Sequence, residues 1–153
     1  MPLMVENNMK HPIDKVFITQ KFGENPVVYS QFGMKGHNGI DYRTRFVDSP
    51  LAHRYITPAK KGVVIEVGDQ GKAGYGKFIR IQHYKDEQTI YGHLSKTLIK
   101  VGQKVTIETK IGLSGNTGFS SGPHLHFGFR PWNWKTIYNN GFKGYVDPLP
   151  FIK

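Results

Sequence analysis

The strongest constraint on this chain is its punctuation. Eighteen glycines and nine prolines break 153 residues into short runs, which favours strands joined by turns over long helices. The runs between the breaks read as strands. Val16–Thr19 is short and apolar, Gly36–Tyr42 enters a strand through glycines, and Gly62–Gly68 is bounded by them. Lys77–His83 alternates apolar and polar residues, as a half-buried strand does. Lys85-Asp86-Glu87 turns that strand back into Gln88–His93, a hairpin. Val101–Val105, Lys110–Leu113 and Leu125–Arg130 complete the set. No segment holds a 3.6-residue apolar period over three turns, although residues 93–100 have room for one helical turn. The expectation is an all-β chain of one domain, with residues 1–16 a loose lead-in and residues 43–56 a long loop.

Composition narrows the function. Hydrophobic residues make up 38% of the chain, enough for one core at this length. Cysteine is absent, which excludes disulfides, a thiol nucleophile and thiolate metal sites. No apolar run reaches the roughly 18 residues of a membrane span, so no membrane insertion is expected. The opening MPLMVENNMK lacks the apolar stretch of a signal peptide. Export by another route, as for a phage-type lysin, or trimming from a longer chain is the expectation. Twenty-one Lys+Arg against 11 Asp+Glu give a net charge of +10, which favours polyanionic partners such as the bacterial wall. The basic residues are scattered and match no nucleic-acid motif, so no nucleic-acid partner is expected.

Chemistry concentrates in the histidines. His37 and Asp41 are spaced i, i+4, and His124 and His126 i, i+2, while His93 follows Tyr91-Gly92. On a strand, His124 and His126 point the same way. His37 and Asp41 also share a face if their segment is extended. Imidazole and carboxylate are ordinary zinc ligands, and three of them with an open position make a catalytic zinc site. Five such groups leave two for acid–base work. His11, His53 and His83 are read as hydrogen-bonded structural residues. Gly115, Gly118 and Gly122 are read as turn-formers. Trp132 and Trp134 are expected to cap the core. Tyr91 would share a face with His93 on an extended strand, and packing is its expected role.

The string Ser114–Phe127, containing Gly122-Pro123-His124-Leu125-His126, resembles the signature of the lysostaphin-type, LytM-like zinc endopeptidases. Gly36-His37-Asn38-Gly39-Ile40-Asp41 and Tyr91-Gly92-His93-Leu94-Ser95 resemble that family's other two motifs, in family order. The likeness spans roughly residues 17–151. It implies a largely antiparallel β-sandwich with a groove walled by loops, and residues 17–153 as the catalytic domain. It implies one Zn2+ per chain held by His37, Asp41 and His126, with His93 and His124 as the catalytic pair. It further implies a monomeric hydrolase of peptidoglycan peptides, in a cross-bridge or a stem, acting extracellularly or in the periplasm. Two departures stand out: residues 45–56 are long, with room to build a groove wall, and Gly128 replaces a larger residue, read as a packing change. A non-catalytic wall-binding or activator domain of the same fold is the alternative, but it predicts a broken ligand set. A lipoyl-type carrier domain would need a lysine at a hairpin tip, which is missing.

Overall fold

The glycine-bounded alternation becomes β-structure in the computed structural model of the chain, which describes residues 8–47 and 53–153. Among the described residues there are nine strands: β1 (Ile18–Gln20), β2 (Ile40–Arg43), β3 (Tyr55–Ile56), β4 (Gly62–Asp69), β5 (Lys77–Gln82), β6 (Gln88–Thr97), β7 (Lys104–Val105), β8 (Gly112–Ser114) and β9 (His124–Arg130). All their pairings are antiparallel. The main path runs β1-β2-β9-β6-β5-β4-β7, while β8 branches from β6 and carries β3. One helical turn, α1 (Pro26–Tyr29), and a following 3-10 turn (Ser30–Phe32) interrupt the β-structure. Pro26 opens α1 because its fixed φ suits a first helical position. No helix among the described residues is long and apolar enough to cross a membrane.

Alternation sends one set of side chains to each sheet face. Ile40 and Tyr42 of β2, Ile79 and Ile81 of β5, Tyr91 and Leu94 of β6, and Leu125, Phe127 and Phe129 of β9 meet in the main core, joined by Ile56 and Ile111. The intervening residues of the same strands face the other way. There Phe78, Ile90 and Tyr145 form a smaller cluster, and the rest of that face is the floor of a groove.

Three readings of the sequence need correction. Residues 93–100 hold no helical turn, because β6 continues to Thr97 and its second half is paired with β8. Residues 8–15 are packed rather than loose: Met9 and Ile13 are 2% and 4% exposed in the main core, and Met9 bridges to Ile152. Their apolar residues stand singly, so no period announces them. In the long segment after β2, residues 48–52 lie outside the described residues. His53, Arg54 and Tyr55 line a second hollow of about 830 Å³, away from the groove. The tryptophans do not cap the core. Trp132 is 66% exposed, and Trp134 donates its indole N–H to the Asp86 carbonyl at 3.0 Å and stacks on Arg130.

Candidate active site

Strand register builds the centre of the groove. β2 and β9 pair so that Asp41 lies opposite His126, and β6 and β9 pair so that Gly92 lies opposite His126 from the other side. His126 thus stands in a row between a carboxylate and a residue with no side chain. The Tyr75 ring occupies the adjoining space, its centroid 5.1 Å from that of His126. His124, two residues earlier on β9, points the same way, as its spacing predicts.

His37 arrives from a loop. Four extended residues would carry it about 13 Å from Asp41, so the shared extended face expected from the spacing is not what joins them. The chain bends at Asn38-Gly39 instead, and His37 Nε2 ends 3.1 Å from Asp41 Oδ1. That loop is tied to residues 23–24: Gly23 N–H donates to the His37 carbonyl and His37 N–H to the Glu24 carbonyl, both at 2.8 Å. Gly36 is required by this close approach, since a Cβ there would collide with the Gly23 carbonyl.

His93 reaches the same space by a bulge. β5 residues 77 and 79 pair with β6 residues 94 and 91, so β6 carries one extra residue there. His93 adopts φ 62, uncommon for a non-glycine residue. The extra residue lets Tyr91 and Leu94 both face the core while Gly92 and His93 serve the groove. Tyr91 and His93 therefore do not share a face. Tyr91 is in the core, accepting from Ala59 N–H at 2.9 Å, which suits the packing role and rules out contact with a reacting group.

The five residues singled out in the sequence come together in one groove of about 1120 Å³. His37 Nε2 lies 3.0 Å from His126 Nδ1, and His126 Nδ1 lies 3.3 Å from Asp41 Oδ1. Ligands of a tetrahedral ion at about 2.0–2.1 Å stand about 3.3 Å from one another, so these three atoms form a triangle of the right size for one metal ion. His37 Nδ1 donates to the Lys21 carbonyl at 3.3 Å, leaving Nε2 with a lone pair toward the triangle. Asp41 is buried, which alone would raise its pKa, but the neighbouring His126 and His37 outweigh burial and hold it well below the usual carboxylate range. Burial chiefly, opposed by Asp41, takes His126 down to about 4. His126 Nε2 is buried without a hydrogen-bond partner among the described residues.

His93 and His124 stand beside the triangle, their rings 4.5 Å apart. His93 Nδ1 donates to the Thr117 carbonyl at 2.6 Å. His124 Nδ1 donates to the Gly122 carbonyl at 2.8 Å, and its Nε2 lies 3.6 Å from Asp41 Oδ2. A carbonyl only accepts, so both rings carry their proton on Nδ1 and keep Nε2 as a proton acceptor. Burial, and then the neighbouring His124 and His126, push His93 down to about 3, so it is neutral near pH 7.

The remaining residues noted in the sequence sort differently. His83 sits far along the sheet, bonded to the Lys61 carbonyl and Thr89. His11 bonds Tyr42 and His53 the Ser114 carbonyl. Of the three signature glycines, Gly118 has a positive φ, Gly115 presses against the Ser95 backbone, and Gly122 meets neither condition. At Gly128 a side chain would meet Ile90 and the Tyr145 ring, so the departure is one of packing. Sequence reasoning missed Tyr75, which accepts from Asn38 Nδ2 at 2.8 Å. Its only local sign is that glycines 74 and 76 flank it. It also missed Tyr29 of α1, 5.1 Å from His37 between ring centroids, together with its helical turn.

The sequence model of peptidase family M23 matches residues 35–140. The peptidoglycan DD-endopeptidase ShyA of Vibrio cholerae is 43% identical over 91 residues, 60% of this chain and 19% of that protein. A zinc-containing peptidase from Vibrio cholerae has a similar structure, with a TM-score of 0.68 at 30% identity over 92% of this chain and 39% of that one. So does the catalytic domain of lysostaphin from Staphylococcus simulans, with a TM-score of 0.70 at 27% identity over 89% of this chain and 91% of that one. The chain spans between 19% and 32% of the length of the first curated relatives it matches.

Proposed function

The chain belongs to peptidase family M23, and from that premise we propose that it hydrolyses peptide bonds of bacterial peptidoglycan with one zinc ion held by His37, Asp41 and His126. The observation that carries the reading is the triangle of ligand atoms 3.0–3.3 Å apart, set beside two histidines locked in one tautomer. Zinc held there supplies Lewis acidity, polarising a peptide carbonyl and acidifying water near neutral pH.

The chain's own residues do the rest. One of the pair, His93 or His124, accepts at Nε2 the proton released as water attacks, and as imidazolium returns it to the leaving amine. The carbonyls of Thr117 and Gly122 hold both rings in that tautomer throughout. While it holds that proton, the same imidazolium donates a hydrogen bond to the oxygen where negative charge builds. The open groove admits an extended peptide over the sheet face. The site of action is the cell wall, outside the inner membrane, where a charge of +10 draws the protein to anionic polymers.

The test uses purified walls of several bacterial types. Zinc-restored protein should clear at least one wall type and release peptide fragments whose masses identify the cut bond. Metal-stripped protein and His126→Ala should do neither. Clearing that persists in the stripped protein and in His126→Ala overturns the reading.

A further inference from the structure

Beyond the histidines, the groove runs on along the same sheet face to a cluster of cations. Arg80 of β5, Arg130 of β9 and Lys143 all line it. The ring of Tyr145, 2% exposed, organises them. It packs over Gly128, whose missing side chain leaves the space. Arg80 Nη1 donates to the Tyr145 hydroxyl at 2.6 Å, and the Arg130 guanidinium lies 4.4 Å from the Tyr145 ring centroid. Two guanidiniums are thus held against one buried ring. Arg130 is clamped further, stacked 4.2 Å from the Trp134 ring, with Nε donating to the Lys143 carbonyl at 3.0 Å and Nη1 to Gln88 at 3.3 Å.

The charges do not balance. Glu66 pairs with Arg80 at 3.1 Å from a half-exposed position. Among the described residues no carboxylate pairs with Arg130 or Lys143. The other acid on this stretch of groove, Asp69, accepts from Gly71 N–H at 2.8 Å. Holding two like charges against one ring, half out of water, costs free energy that an anion would offset. Consistent with this, burial chiefly, with the like charge of Arg80 adding, pulls Arg130 below its ordinary pKa. A guanidinium fork fits a planar carboxylate with two parallel hydrogen bonds.

Resting on the endopeptidase reading, we infer that Arg80, Arg130 and Lys143 form a subsite for a free carboxylate of the substrate peptide. Tyr75 joins the two regions: it lies against His126 and packs on the cluster that contains Tyr145. A peptide seated over the histidines therefore continues directly onto the cations. The substrate class follows. Stem peptides carry free carboxylates and satisfy the subsite, whereas a cross-bridge of glycines is neutral and leaves it unpaired. The enzyme selects stem peptides.

The test is binding first and hydrolysis second. The zinc-loaded full chain is titrated calorimetrically with an uncross-linked stem peptide, once with its carboxylates free and once with all of them converted to carboxamides. The free form should bind at least about tenfold tighter, the scale of a charge-assisted hydrogen-bonded pair. Arg130→Gln should remove most of that preference and Arg130→Lys keep part of it. Lys143→Asn, at a position with φ 56 that Asn tolerates, should reduce it without disturbing the fold. Equal binding of the two forms overturns the subsite, as does a preference that persists unchanged in Arg130→Gln and Lys143→Asn, which would place the carboxylate elsewhere, on the metal for one. Cross-linked stem dimers are then offered for hydrolysis. A preference that responds to Arg130 without any hydrolysis supports the subsite and removes only the endopeptidase reading.

Discussion

Protonating His83 should cost this fold about 3 kcal/mol, and the reason is a directed chain of hydrogen bonds. His83 is 5% exposed. Its Nδ1–H donates to the Lys61 carbonyl at 2.7 Å, so Nε2 must accept, and it accepts from Thr89 Oγ1 at 2.8 Å. Thr89 in turn meets the Tyr91 hydroxyl at 2.8 Å, and that hydroxyl accepts from Ala59 N–H. Donors therefore run in one direction, from Ala59 through Tyr91 and Thr89 to His83. A proton on Nε2 would put a donor at each end and leave one hydroxyl hydrogen without an acceptor. Burial chiefly, with the charge of Lys60 adding against the Lys61 carbonyl, lowers His83 from 6.5 to about 4. The native state thus favours the neutral ring. Its contribution is complete above pH 6.5 and is lost as pH falls toward 4, by about 2 kcal/mol at pH 5 and about 3 kcal/mol at pH 4. The assay is urea unfolding across pH 7.5 to 4 with a chelator present, comparing the wild type with His83→Gln. Every other ionisable group is common to both proteins and cancels. The stability difference should narrow by that amount as pH falls. Parallel curves over the whole range would refute the argument.

Three further outcomes follow from the site and its supports. His93→Ala and His124→Ala should each retain one zinc per chain yet lose about 10²–10⁴-fold in kcat; unchanged turnover in either would remove it from the chemistry. Tyr91→Phe should cost about 1–3 kcal/mol in urea unfolding, because Ala59 N–H loses its buried acceptor, while kcat stays at the wild-type value; a change in kcat without a change in stability would return Tyr91 to the active site. Gly36→Ala should displace the loop that carries His37 and weaken zinc binding by about 10–100-fold, the scale of disturbing a ligand's support, and unaltered affinity by competition with a chromophoric chelator would show that the loop gives way freely.

Where side-chain alternation and turn residues coincide, this structure is legible from its sequence. β4, β5 and the first half of β6 appear within a residue or two of the expected bounds, because glycines or a tight turn bound runs of period 2. His124 and His126 share a face for the same reason. The rest depends on contacts between distant residues. The bulge at His93 adds one residue to β6 and sends its side chain to the groove, yet nothing local marks a histidine for a left-handed φ. The His37–Asp41 contact needs a bend that the i, i+4 spacing does not specify, although Gly39 inside the motif is a sign of it. α1 spans a single turn, too short for any periodicity. The burial of Met9 and Ile13 and the placement of Tyr75 and Tyr145 come from packing across the sheet, which no neighbouring residue records.

The measurement that bears most directly on the metal site is a zinc titration of the metal-stripped full chain, in the wild type and in Asp41→Asn. Asp41 supplies the only negative charge in the triangle, and its replacement should cost more than the 10–100-fold typical of a supporting residue. The wild-type chain should take up one zinc ion, and Asp41→Asn should bind it at least about a hundredfold more weakly. A wild-type chain that takes up no zinc, or an Asp41→Asn chain that holds it equally well, would contradict the central claim that His37, Asp41 and His126 form the metal site.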